Sequence, residues 1–487
     1  MKVPFVIDAP LGMIEPLLIV SISGILLLLV DLLLPHGKKH LSAYLALAGV
    51  LYAMVRSAAQ WGMSQTGYSG MAVLDNLSTL FNLLFLGSTG LVILLSMPFL
   101  RKDNVEHSEY YALLLFATVG MMVLASSLDL ITLFLGIEVL SISLYILAGY
   151  RRDSDASNEA AMKYFLLGAF ASSVLLYGIA LVYGATGTTN LARVAETVSG
   201  AAGPIPEGLL FAGVALILVG LAFKVAAAPF HMWTPDVYEG APTPITAFLS
   251  AGPKAAAFAA ILRVFFVGFG PIQSEWDSIL SVIAALTMTI GNIAAIAQTN
   301  VKRMLAYSSI AHSGYVLIGV VAGGAMGGTA AVFYLIAYVA MNLGAFAVIV
   351  LLEHKGQRGE ELRDYGGLGF RYPIIGALLS LFMISLSGIP PTVGFTGKLY
   401  LFGAAVQSGH VLLAVIGVLN SAISIFYYLR LMVLMYMREA QETLPAIRVP
   451  VTLAVVLLVT AAATLWPGLF PGTWLDAARE GVKALFS

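Results

Sequence analysis

The chain has 487 residues, 59% of them hydrophobic and only 10% charged, with a formal net charge of -1 and no cysteine. A soluble domain carries about 25% charged residues, so the solvent of this chain is a bilayer, and its balanced charge leaves no nucleic-acid footprint. Without thiols, disulfides, thiolate-bound iron–sulfur clusters and c-type haem attachment are excluded.

A membrane helix needs about 20 apolar residues, and about fourteen such runs follow one another. They cover roughly 13–34, 41–60, 77–98, 109–127, 129–149, 158–183, 208–237, 243–268, 276–299, 303–323, 329–352, 372–405, 411–436 and 448–467. The first is too long for a signal-peptide core and lacks an A-x-A exit, so it reads as a retained helix. The connections are too short for a soluble domain. The expected fold class is an all-α polytopic membrane protein with about fourteen spans in one integral domain.

The odd-numbered connections hold fourteen Lys and Arg residues, from Lys38 and Lys39 through Lys355 and Arg358 to Arg448, and the even-numbered ones hold Arg193 alone. Cytoplasmic loops are the cationic ones. Odd loops are therefore expected in the cytoplasm, and both termini outside.

Two spans are interrupted. Span 7 reads "LAFKVAAAPFHMWTPDVYEG", with Pro229 in its course, and span 12 reads "SLSGIPPTVGFTGKLYLF", with Gly388, Pro390, Pro391 and Gly394. Proline removes a helix donor and clashes with the preceding turn. Interruptions at matched places in two halves point to inverted repeats with sites at the broken helices. The expected units are spans 4–8 (109–268) and spans 9–13 (269–437), preceded by three helices (1–108) and followed by helix 14 and a tail (438–487).

Few charges remain inside the spans. Each costs at least about 2.5–3.5 kcal/mol at the bilayer centre and usually marks a path or a pair. Glu138 lies 13 residues before Arg151, roughly 20 Å deep at 1.5 Å per residue. It fits a proton-path carboxylate or a structural ion pair. Lys224 precedes the first break. An amine there has a proton affinity set by desolvation and by the distance of a carboxylate. Lys254 is flanked by Gly and Ala, and Lys398 follows the second break. Lys163, near the start of span 6, either snorkels to the interface or tunes Glu138 or Lys224. His312, with Ser308, Ser309, Ser313 and Tyr315, is suited to a relay, because histidine changes charge near neutral pH. His231, near Asp236, is either a relay or a structural hydrogen bond. Arg56, Arg263 and Arg430 lie nearer span ends and read as interfacial anchors. A row of titratable groups at middle depth is the pattern of a proton pump.

The stretches "FKVAAAPFHMWTPDVYEGAPTPITAFLSAGPKAA", "QTNVKRMLAYSSIAHSGY" and "LSGIPPTVGFTGKLYLF" resemble the antiporter-like membrane subunits of respiratory complex I, a family that includes Mrp-type sodium/proton antiporter and membrane-bound hydrogenase subunits. The resemblance covers nearly the whole chain. "LFLGIEVLSISLYILAGYRRDS" and Lys398 are similar to the N-type branch. The resemblance implies that Glu138 and Lys224 form a charge pair in one half-channel. Lys254 is then the connecting lysine, Lys398 the terminal one, and Lys163 and His312 relay or tuning groups. It implies no cofactor in this chain, with flavin and iron–sulfur clusters in other subunits. It also implies a bacterial inner membrane, and M, K and J subunits and the lateral helix of L as neighbours. One departure is Ala311 where serine is common. Two rivals are an independent sodium/proton antiporter and a structural spacer that would tolerate neutral lysines.

Overall fold

A computed structural model describes residues 10–33, 39–103, 105–201, 204–353, 359–438 and 447–486. Lys38, Lys355 and Arg358 of the loop-charge pattern lie outside these. The chain is nearly all helix. It begins with α1 (Glu15–Asp31), α2 (Leu41–Ala59), a hairpin of β1 (Gln65–Gly67) and β2 (Ala72–Leu74), and α3 (Asn76–Asp103). A first set follows: α4 (Ser108–Ser126), α5 (Leu130–Ala148), α6 (Asp155–Thr186), the short α7 (Leu191–Val198), α8 (Glu207–Lys224), α9 (Trp233–Gly240), α10 (Thr243–Ser250) and α11 (Gly252–Leu262). The second set is α12 (Gln273–Ile296), α13 (Val301–Ala322), α14 (Gly324–Leu352), the short α15 (Leu368–Arg371), α16 (Pro373–Ser387), α17 (Val393–Gln407) and α18 (Val411–Met437). The described chain closes with α19 (Val451–Leu469) and α20 (Gly472–Lys483).

Among the described residues, twelve helical stretches are long and apolar enough to cross a membrane. The expected count of fourteen would also need α1, which is 17 residues long, and the broken pair α16–α17. The interruption of span 7 falls between α8 and α9. Span 8 is interrupted too, at Ala251 between α10 and α11, which the sequence reading did not anticipate.

The two sets are built alike. The side chain of Asp129 caps α5 by accepting from the amides of Ile131 and Thr132, and that of Asn300 caps α13 by accepting from the amide of Arg303. Each cap residue also sits in a two-bond bridge to the connection after the next span. The amide of Leu130 donates to the Thr189 carbonyl (2.9 Å) and that of Leu191 to Leu128 (2.8 Å). In the second set the amide of Val301 donates to Glu360 (2.6 Å) and that of Leu362 to Thr299 (2.8 Å). Helix neighbours recur as well: α4–α5, α5–α6, α6–α8 and α4–α11 are matched by α12–α13, α13–α14, α14–α16 and α12–α18. The sets meet where α9 packs on α13 and α10 on α14, while α19 and α20 pack against α14 and α3.

At the first break, α8 stops at Lys224, and Ala226 adopts a left-handed φ of 59°. Freed backbone groups in a bilayer need partners. The indole of Trp233 donates to the Phe223 carbonyl (3.0 Å), and the Ala228 amide donates to Thr287 Oγ1 on α12 (2.9 Å). At the second break, Gly388 ends α16 with φ 83°, which suits glycine. Gly394 lies so close to the Ser385 carbonyl that a Cβ would fall 1.8 Å from its oxygen.

Candidate functional site

Glu138 lies half-buried on α5, and its Oε1 is shielded from solvent without a hydrogen-bond partner among the described residues. Lys224, at the end of α8, does not close an ion pair with it. Its Nζ donates instead to Ser141 Oγ at 2.7 Å, one turn along α5, and lies 5.8 Å from the centre of the Tyr145 ring. The amine therefore docks on α5 through a serine that lies one turn from the carboxylate.

Lys254, on α11, is 3% exposed and has no carboxylate partner among the described residues. All three of its N–H bonds are directed at α13. They reach Ser309 Oγ (2.6 Å), the Ser309 carbonyl (2.8 Å) and Ser313 Oγ (3.2 Å). Tyr338 on α14 donates to the same Ser309 Oγ (2.7 Å). Counted from the two cap residues, Ser309 occupies the position in α13 that Glu138 occupies in α5, nine residues on (309 − 300 and 138 − 129). By the same count His312 matches Ser141. So the lysine of the joint rests on a hydroxyl where the first set has a carboxylate.

His312 is buried beyond Lys254. Its Nδ1 lies 2.7 Å from the Tyr334 hydroxyl and its Nε2 3.1 Å from that of Tyr428, which also bonds Ser308. The rings of Tyr338 and Tyr315 flank the imidazole at 5.0 and 5.7 Å. Tyr315 in turn lies under Lys398, with its ring centre 4.8 Å from Nζ. Lys398 donates to Ser421 Oγ (2.9 Å) and to the carbonyls of Ser387 (3.0 Å) and Leu386 (3.2 Å). Those carbonyls are the unpaired end of α16, and the negative pole of a helix favours a cation.

Lys163 is placed elsewhere. Its Nζ pairs with Asp236 (2.7 Å) and Glu159 (2.6 Å), not with Glu138 or Lys224. Asp236 also holds Arg303 (2.7 Å), which reaches Glu239 (2.8 Å). This half-exposed cluster ties α6, α9 and α13 together. Asp236 is thus engaged by Lys163 and Arg303.

Arg263 is not an interfacial anchor. It is 1% exposed and grips Asp75 through two parallel bonds of 2.8 Å, while its Nε donates to the Ala125 carbonyl (2.9 Å). Arg430 binds the carbonyls of Ile296 and Gln298 at the end of α12, and Arg56 pairs with Glu15 (2.7 Å). The sequence reading also missed Glu353. It accepts from Thr243 (2.5 Å) and Arg151 (3.2 Å) and so braces the start of α10. The tyrosines of the relay carried a signal in retrospect: Tyr334 and Tyr338 are four apart on α14 and therefore share a face. Among the described residues no group of His, Asp and Glu is arranged to hold a metal ion.

Known proteins share both sequence and fold with this chain. A family model described as NADH:quinone oxidoreductase/Mrp antiporter, TM, matches residues 127–424. A relative from Trichlorobacter lovleyi, NADH-quinone oxidoreductase subunit N, is 49% identical over 475 residues, 98% of this chain and 97% of its own. The protein of the same name from Chloroflexus aggregans is 46% identical, covering 95% of each. Among solved structures, a chain of respiratory complex I from Thermus thermophilus with bound aureothin superposes with a TM-score of 0.81 at 36% identity, covering 95% of this chain and 98% of that one. A chain of the Mrp complex from Dietzia has the same fold, with a TM-score of 0.85 at 23% identity and 98% of each chain covered.

Proposed function

Since the chain belongs to the NADH:quinone oxidoreductase/Mrp antiporter family, beside relatives named as subunit N, we propose that it is a non-redox, proton-translocating membrane subunit of an NADH–quinone oxidoreductase. It is a component of that translocase, and its neighbours are the other membrane subunits of the complex, with M, K, J and the lateral helix of L closest at hand. Flavin and iron–sulfur clusters reside in other subunits. The membrane is the bacterial inner membrane. With α1 and the α16–α17 pair taken as spans, the count is fourteen, the termini lie outside, and protons run outward from the cytoplasm.

The single observation that carries this reading is the line of buried amines and hydroxyls between the two helix breaks. Lys224 sits by the first break, Lys254 is held by Ser309 and Ser313, and His312 lies between Tyr334 and Tyr428. Lys398 follows, seated on the end of α16. The region 109–268 takes up a proton and 269–437 releases it. The lever is electrostatic. Moving one charge against 100 mV requires about 2.3 kcal/mol. Two unit charges 4 Å apart interact by about 4 kcal/mol at an effective dielectric of 20. Lys224 is held by Ser141, one turn along α5 from Glu138, so a small approach or retreat of the carboxylate alters the proton affinity of the amine enough to drive the transfer. Lys254 then receives the proton and passes it through the α13 hydroxyls and His312 towards Lys398.

The test is purification followed by reconstitution. The chain should co-purify with flavin and iron–sulfur absorbance and with NADH oxidation. Vesicles holding Lys224→Ala or Glu138→Ala should pump far fewer protons per NADH, with the complex still assembled. Sodium-coupled transport by a preparation lacking those cofactors would overturn the proposal.

A further inference from the structure

Spans 8 and 13 occupy the same place in the two sets, since the α4–α11 and α12–α18 contacts match. They are not built alike. Helix α18 runs unbroken from Val411 to Met437, whereas span 8 is cut at Ala251, where a ψ of -89° interrupts the helix. Lys254 follows directly after the cut. A break inside a bilayer frees backbone groups that need partners. Here one partner is the Ser250 hydroxyl, which is 0% exposed and donates to the Ala247 carbonyl at the open end of α10 (2.9 Å). Having given its proton there, the same oxygen accepts from Asn342 Nδ2 on α14 (2.5 Å).

Asn342 is itself 1% exposed. It stands four residues after Tyr338, whose phenol donates to Ser309, and eleven before Glu353, which accepts from Thr243 at the start of α10. Both intervals are close to whole turns of a helix with 3.6 residues per turn, so the three side chains share one face of α14. That face grips α10 at its first residue and at its last, and it also holds the serine that receives Lys254. With only 8 residues, α10 is a short strut clamped at both ends. Lys254 belongs to the first set and Ser309 to the second, and α14 fastens both.

We propose that Asn342 is a positioning residue for proton transfer at Lys254. It staples the broken span 8 to α14 and so sets the distance between the amine and the hydroxyls of Ser309 and Ser313. This rests on the relay reading above and deepens it. Asn342 acts through Ser250 and the backbone of the break, while the proton itself passes between Lys254 and the α13 hydroxyls. Such a transfer is sensitive to geometry, because a misplacement of about 1 Å can cost about a hundredfold in rate. A single neutral hydrogen bond contributes little to net stability, so its loss should appear in transfer before it appears in assembly.

The experiment uses the intact complex in vesicles and reads the rate of proton pumping, with Lys254→Ala as the reference. Asn342→Leu keeps the bulk, removes the amide and leaves Ser250 bonded to Ala247, so the complex should assemble. Its pumping should fall about tenfold or more, towards the Lys254→Ala level. Ser250→Ala should fall likewise, and the double variant should be no worse than either single one, because both remove the same bond. Ser250→Thr, which restores the hydroxyl, should pump like the parent. A high-resolution map of the Asn342→Leu complex should show Lys254 Nζ displaced from Ser309 and Ser313. If Asn342→Leu does not assemble, the Ser250→Ala and Ser250→Thr pair decides alone, and equal losses in that pair would reduce the site to packing and overturn the staple. Full pumping by Asn342→Leu while Lys254→Ala is impaired would overturn the staple and leave the relay standing. So would a loss of pumping in Asn342→Leu with Lys254 still seated on both serines. Full pumping by Lys254→Ala itself would overturn the relay, and the staple with it.

Discussion

The ammonium of Lys398 lies 3.0 Å from the carbonyl oxygen of Ser387, the last residue of the half-helix that precedes its own. The lysine on α17 therefore closes the open end of α16. Gly388 makes this possible. Its φ of 83° turns the chain away, and a Cβ there would stand 2.8 Å from Lys398 Cδ. Gly388→Ala should both strain the turn, by about 1–3 kcal/mol, and push the ammonium off its carbonyls. The expected result is a lower melting temperature for the purified complex and a loss of pumping, and normal pumping would separate the turn from the lysine.

Glu138→Gln preserves shape and removes the charge. Because Lys224 is held by Ser141 and not by the carboxylate, the variant should assemble at parental yield. Protons pumped per NADH should nevertheless fall sharply. A variant that instead failed to assemble would mark Glu138 as a structural support.

Lys254→Arg keeps a permanent cation within reach of Ser309 and Ser313, whereas Lys254→Met leaves those hydroxyls facing a thioether. A permanent cation cannot hand a proton on, so both variants should lose pumping in side-by-side vesicle assays. Full pumping by the arginine variant would show that charge, and not proton exchange, is what this position supplies.

Asp75 and Arg263 form a pair sealed from solvent. Removing one partner of such a pair costs about 3–5 kcal/mol, because the other charge stays buried and unpaired. Asp75→Asn should therefore reduce the amount of assembled complex in the membrane. Arg263→Lys should reduce it as well, since one ammonium cannot make the two parallel bonds and also reach Ala125.

The sequence made the broken helices legible because proline and glycine act locally: Pro229 and Gly388 interrupt a helix whatever surrounds them. Position along the helix was legible too, since Glu138 and Lys254 could be placed by counting residues from a charged loop. Direction around the helix was not. Counting gave no sign that Lys224 would meet Ser141 before Glu138, or that Lys163 would turn to Asp236. Arg263 misled because nearness to a span end suggests snorkelling. Its partner Asp75 lies on α3, far away in sequence, and nothing local announces it. The break at Ala251 was hidden for a similar reason, since Pro253 is only a mild signal when it falls in the first turn of a new helix.

Helix α13 is held at its first turn by Arg303, which grips Asp236 and Glu239 on α9, and it cradles Lys254 two turns later. A single stiff rod thus belongs to both halves of the molecule. Whatever tilts α9 is felt at Ser309 without any intervening hinge, and one covalent tether between α9 and α13 would lock the left and right sides of the machine at a stroke.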